Sequence, residues 1–138
     1  NNPRAKFAGC LVRTAGHDFM DYRYSETDTT LNDDDESAGC RSFSNGAATG
    51  GADGCMAFSD GDNTGLADCL VDTGLAATYE DYCETVSLAD FLVIIAEAVM
   101  GRTAERYDPD DYYASGTAAK VFFENFQFGR TSSKKCKD

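Results

Sequence analysis

The stretch Val12-Arg13-Thr14-Ala15-Gly16-His17-Asp18 contains the only histidine of the chain and lies inside a run with helical periodicity. From about Arg4 to Phe19 the apolar residues Phe7, Ala8, Leu11, Val12, Ala15 and Phe19 recur at spacings of three and four. This predicts an amphipathic helix with one apolar stripe turned toward a core. At about 100° per residue, Arg13 and His17 share a face well away from the centre of that stripe. A permanently charged guanidinium one turn from an imidazole sets a cation beside a general base. Gly9 and Gly16 remove bulk next to that pair, so something is expected to approach the helix closely there. Any chemistry that needs a second imidazole must find it elsewhere than in these 138 residues.

A second helix is expected from near Thr64 through Leu66, Cys69, Leu70 and Thr73, ending at Gly74, with a short turn or helix from Thr78 to Cys83. The third is the clearest. Ser87 with Asp90 three residues on resembles a capping box, the body Leu88 to Met100 is apolar nearly all round, and Gly101 closes it. That helix is expected to be the buried centre of the domain. Between Asp21 and Gly54 the periodicity dissolves into Asp, Ser, Thr, Gly and Asn, which predicts a long loop whose run Asp33 to Glu36 is solvated. Val121-Phe122-Phe123 to Phe126-Gln127-Phe128 reads as an extended or irregular aromatic stretch, followed by a polar tail from Thr131. Tyr107, Tyr112 and Tyr113 are expected to be packing residues rather than radical relays.

A length of 138 residues with 42% hydrophobic content fits a single domain, 1–138. Six cysteines (Cys10, Cys40, Cys55, Cys69, Cys83 and Cys136) are spread along it without the paired spacing of a zinc site. Three disulfides and an oxidising, extracellular compartment are expected, with the pairing open. The net charge of -12 makes nucleic acid and anionic membrane surfaces poor partners and divalent cations plausible ones. No apolar run reaches the length of a membrane span. The start at Asn1-Asn2-Pro3 is what removal of a leader or pro-segment would leave.

Five blocks, in order, resemble the distal half of a plant-type haem peroxidase, nearest to the ascorbate-peroxidase and fungal branches and their algal and invertebrate relatives. They are Val12 to Asp18, Gly50-Gly51-Ala52-Asp53-Gly54, Asp62-Asn63-Thr64-Gly65-Leu66, Val86-Ser87-Leu88-Ala89-Asp90-Phe91 and Phe126-Gln127-Phe128-Gly129-Arg130. The fold class so implied is mainly α: the distal-lobe helices of the haem-peroxidase fold, with long irregular loops and disulfide staples.

The resemblance also implies roles. His17 would be the distal base that moves a proton during reduction of hydrogen peroxide, and Arg13 the cation that stabilises charge on the separating oxygens. Asn63 would accept the other N–H of the imidazole and fix its tautomer. Haem would lie against Arg13 and His17. A calcium ion would take carboxylate oxygens from Asp18 and Asp53 and a carbonyl from Gly51. Cys55 stands where that family offers a serine hydroxyl, and its sulfur suits a disulfide better than a hard cation.

The chain departs from the family pattern in two respects. Gly16 replaces the large aromatic that the family packs over the haem, which implies a more open pocket. The resemblance covers about half of the family fold, and the proximal lobe with the iron-ligating histidine has no counterpart here. A second lobe, another chain or copies of the same chain are therefore the expected partners covering the haem-facing side. Two functional expectations result: a secreted haem-peroxidase-like protein that reduces hydrogen peroxide once haem and a proximal partner are present, or a catalytically inactive, peroxidase-derived module that assembles into an extracellular complex or filament.

Overall fold

A computed structural model describes residues 2–20, 44–45, 51–56, 58–107, 117–130 and 132. Of these residues 70% are helical. The order is α1 (Pro3–Met20), β1 (Ser44–Asn45), β2 (Cys55–Met56), a 3-10 turn (Gly61–Asn63), α2 (Leu66–Thr73), α3 (Leu75–Glu80), α4 (Leu88–Tyr107) and α5 (Thr117–Asn125). The two short strands pair in parallel, Ser44 with Cys55 and Asn45 with Met56. The run Asp33 to Glu36, the cysteines Cys40 and Cys136, and Tyr112 and Tyr113 lie outside the described residues, as does the side chain of Tyr107.

The core is built where α1 crosses α4 and α2. Leu11 and Ala15 of α1 meet Leu66 and Leu70 of α2, Leu75 and Tyr79 of α3, and Leu88, Phe91, Leu92 and Ala96 of α4, with Met56 in the same cluster. Tyr79 and Phe91 pack ring to ring at 5.0 Å between centroids. Gly74 adopts a left-handed conformation with φ of 64°, which lets one residue close α2 and open α3.

The face of α1 that enters this core differs from the predicted stripe. Leu11, Thr14, Ala15 and Asp18 are buried, whereas Phe7, Val12 and Phe19 are exposed. The apolar residues of α1 span a wider arc than its neighbours cover, and two polar residues enter the core because each has a partner. Thr14 Oγ1 donates to the Cys10 carbonyl at 3.0 Å, and Asp18 Oδ1 accepts from Gly54 N at 2.9 Å.

Two further expectations need correcting. Helix α4 does not close at Gly101 but continues to Tyr107, with Thr103 Oγ1 donating to the Val99 carbonyl at 2.7 Å. Its apolar body is buried mainly in the first half, so it is central to the core only there. The aromatic stretch read as extended is helical as far as Asn125, held by Asn125 Nδ2 on the Val121 carbonyl at 2.7 Å and by the Lys120–Glu124 pair. Only residues 126–130 are irregular.

That irregular segment is tied to the start of α4 by a buried carboxylate. Ser87 Oγ caps the helix by accepting from Asp90 N at 3.1 Å, as the sequence suggested. The Asp90 side chain, however, turns away from the cap. It accepts from Gly129 N and from the Arg130 guanidinium, each at 2.8 Å, while Arg130 lies over the Phe126 ring. Leu92 lies fully inside this framework, whereas Val71 is exposed on its surface. Replacing Leu92 by Ala is expected to cost about 2–5 kcal/mol in urea unfolding, whereas Val71→Ala should stay within about 0.5 kcal/mol. Equal losses at the two positions would contradict this core.

Candidate functional site

The site forms where α1 docks against the turn that leads into α2. Asp60 opens that turn: its carboxylate accepts from Asp62 N at 2.9 Å, and its carbonyl accepts from Asn63 N at 3.0 Å. Thr64 Oγ1 closes it by donating to the Gly61 carbonyl at 2.6 Å. Residues 62 to 64 are thereby presented to α1 in a fixed order. Nη2 of Arg13 donates to the Asp62 carbonyl at 2.7 Å and Nη1 to the Thr64 carbonyl at 2.9 Å. Between those two carbonyls, Asn63 is buried, and its Oδ1 lies 2.6 Å from His17 Nδ1.

This last contact sets the chemistry of the imidazole. An amide oxygen only accepts, so Nδ1 carries the proton and donates it, which in the neutral ring leaves the lone pair on Nε2. The half-buried ring is therefore oriented as a base at Nε2. The Arg13 guanidinium, one helical turn earlier, keeps a permanent positive charge while its two carbonyl contacts restrict where that charge sits. Arg13, His17 and Asn63, proposed from the sequence as one group, are brought together by the fold.

A disulfide supports the arrangement from an earlier turn of the same helix. Cys10 and Cys69 join α1 to α2 with Cα atoms 5.8 Å apart, and Thr14 Oγ1 lies 3.6 Å from Cys69 Sγ. Residues 10, 13, 14 and 17 thus form one docking edge, each engaging a residue between 62 and 69. Lys6 extends it to the surface with an ion pair to Asp72 at 3.1 Å, exposed on both sides and of little energetic weight. Cys55 and Cys83 are disulfide-bonded as well, in keeping with the stapled character read from composition.

The carboxylates proposed as calcium ligands are buried beside this edge, Asp18 one turn along α1 from Thr14. Asp18 Oδ1 accepts from Gly54 N, while Asp53 Oδ1 accepts from Cys55 N at 2.9 Å. Gly51 is buried, with φ of 82°. The tight turn requires Gly54, because at φ of 84° an added Cβ would also lie 2.6 Å from Leu88 Cδ2. Asp18 and the Asp53 turn are thus brought together. Among the described residues no group of three or more His, Cys, Asp or Glu side chains is placed to hold a metal ion.

Gly16, the other singular position of the motif, is half-buried, and apart from its chain neighbours and its own helix backbone a Cβ built there would meet no described atom within 4 Å. Sequence reasoning did not single out Asp60, Thr64 or the Asp90–Arg130 pair. The signal for the first was available in Asp60-Gly61-Asp62, an Asx-turn pattern just before a helix. Compared with known protein families, curated proteins and solved structures, the chain matches none.

The disulfide has a measurable weight. The double variant Cys10→Ser with Cys69→Ser is expected to lose about 2–4 kcal/mol of stability in urea unfolding, and amide exchange should quicken first in α1 and at residues 62 to 64. Unchanged exchange there would show that the staple does not hold the docking edge.

Proposed function

We propose that this chain is the distal lobe of a haem-peroxidase-like protein, acting in reduction of hydrogen peroxide once haem and a second lobe, another chain or copies of this one complete the site. The observation that carries the reading is the 2.6 Å contact of His17 Nδ1 with Asn63 Oδ1. It gives the imidazole the one tautomer in which Nε2 accepts a proton, which is the form a distal base must have.

The residues present fit the distal side of a haem. Arg13 and His17 would line that side, and the open space at Gly16 leaves the helix surface beside them approachable by a flat macrocycle. When bound, haem supplies the redox chemistry that splits the O–O bond. His17 takes the proton from the peroxide at Nε2 and returns it to the departing oxygen, while Asn63 keeps the ring from turning. The Arg13 charge stabilises the negative charge that develops as the oxygens separate. The one histidine of the 138 residues is committed to this side, so a histidine that holds the iron would come from outside these residues.

The same reading includes an extracellular setting, supported by the disulfides, and a calcium ion near Asp18, Asp53 and Gly51, supported by two buried carboxylates that meet at one turn. A second reading is favoured by a different observation: Phe19, Met20, Phe123 and Phe128 are each more than half exposed. Apolar surface of that kind suits a catalytically inactive module that assembles into an extracellular complex or filament.

An absorption spectrum of native material, with intact mass on the same sample, separates the two. A Soret band that shifts on adding hydrogen peroxide, with the reaction slowed about 10²–10⁴-fold in His17→Leu, is the expected result. Native material without a Soret band, and unable to gain one from added hemin, would overturn the peroxidase reading in favour of the assembly module.

A further inference from the structure

The described cysteines fall into two classes by burial. Cys55 and Cys83, both disulfide-bonded, are 1% and 7% exposed. Cys10 and Cys69 are half-buried, and exposed residues flank each of them: Gly9 and Arg13 beside Cys10, Asp68 and Asp72 beside Cys69. Exchange of a disulfide needs a thiolate to reach one of its sulfurs, so access decides which bond opens first. The Cys10–Cys69 bond is the accessible one.

This bond stands beside the candidate site. Arg13 and His17 follow Cys10 on the same edge of α1, and their partners Asp62, Asn63 and Thr64 lie in the turn just before Cys69. Both Arg13 contacts are exposed, and water competes for them. The rest of α1 is held without the disulfide, by Leu11 and Ala15 in the core and by Asp18 on Gly54 N, while Leu66 and Leu70 keep α2 packed. Opening the bond therefore loosens one edge and leaves the core in place.

We propose that Cys10–Cys69 is a redox-active disulfide that switches the site. Closed, it holds Asn63 against His17; opened by a dithiol, it lets the turn before α2 shift from α1, and the imidazole loses its fixed tautomer. In the exchange, a thiolate of the reductant bonds to one cysteine sulfur while the S–S bond breaks and its electron pair stays on the other. The second thiol of the reductant then displaces the first sulfur, and the reductant leaves as a disulfide. Two electrons and two protons pass from the dithiol to Cys10 and Cys69. Oxidised glutathione runs the exchange back, and in an oxidising compartment the closed form is the resting one. As control of peroxide reduction the switch rests on the peroxidase reading, whereas the exchange itself is tested without haem.

The haem-free chain is exposed to a rising series of dithiothreitol, its thiols are trapped with iodoacetamide and mapped by peptide mass, and parallel samples are followed by NMR. The expected result is a range in which Cys10 and Cys69 carry label while Cys55 and Cys83 stay bonded. In that range the single-tautomer pattern of His17 is lost, the amides of α4 around Leu92 keep their protection, and oxidised glutathione restores the pattern. The double variant Cys10→Ser with Cys69→Ser should lack the pattern at every dithiothreitol level with α4 still protected. Labelling of Cys55 or Cys83 before Cys10, or a His17 pattern that survives opening of the bond, would overturn the proposal. Loss of α4 protection in step with the His17 pattern would overturn it too, since the bond would then be a staple of the whole fold. Failure of the native chain to load haem would count against the peroxidase reading alone.

Discussion

The docking of α1 on the turn before α2 is the contact on which the rest of the structure depends. One edge of that helix carries Cys10, Arg13, Thr14 and His17, and each meets a partner between Asp62 and Cys69. The disulfide gives this edge its permanence and the hydrogen bonds give it its register. With one covalent link and several short polar contacts on consecutive turns, a small rotation of α1 would break all of the polar contacts together. The face carrying Arg13 and His17 is therefore held at a fixed angle to the core.

A second anchor, one turn along α1 from Thr14, sets the same rotation. Asp18 is buried beneath α1 and accepts from the backbone of Gly54, in a turn pressed so closely against Leu88 that an added Cβ would collide with it. Leu88 in turn begins α4, whose Asp90 gathers the Gly129 and Arg130 segment. A chain of contacts thus runs from the candidate site through the buried Asp18 and the Gly54 turn to the far end of the fold. Because burying a carboxylate is costly unless it is hydrogen-bonded, each of these partners constrains the next.

Much of this was legible in the sequence, and the exceptions have physical causes. The pairing of His17 with Asn63 and the meeting of Asp18 with the Asp53 turn were implied by the resemblance of separate blocks to one family, since partners 46 and 36 residues apart leave no local signal of their contact. The cap by Ser87 is legible because its partner lies three residues on. The buried face of α1 is not, since Phe7, Val12 and Phe19 are as apolar as Leu11 and only the neighbours decide which half of a wide apolar arc is covered. Thr14 was invisible to an apolar pattern because its burial rests on its bond to the Cys10 carbonyl. Gly101 misled for a different reason: a glycine ends a helix only where a left-handed residue is needed, and inside a helix it costs only about 1 kcal/mol relative to Ala. In α5, the aromatic pair Phe122-Phe123 suggested an extended chain, while the segment forms a helix whose turn-to-turn contacts include Lys120 with Glu124 and Asn125 with Val121.

The chemistry proposed for the site requires a neutral His17 ring with its proton on Nδ1 and its lone pair on Nε2. The most direct test is the nitrogen NMR spectrum of the His17 imidazole in the folded chain near neutral pH, simplified by there being one histidine to assign. A protonated Nδ1 with slow solvent exchange, a bare Nε2, and loss of that pattern in Asn63→Leu are predicted. A proton on Nε2, or a ring averaging between tautomers with the native Asn63 in place, would contradict this state of the imidazole and with it the site built on that bond.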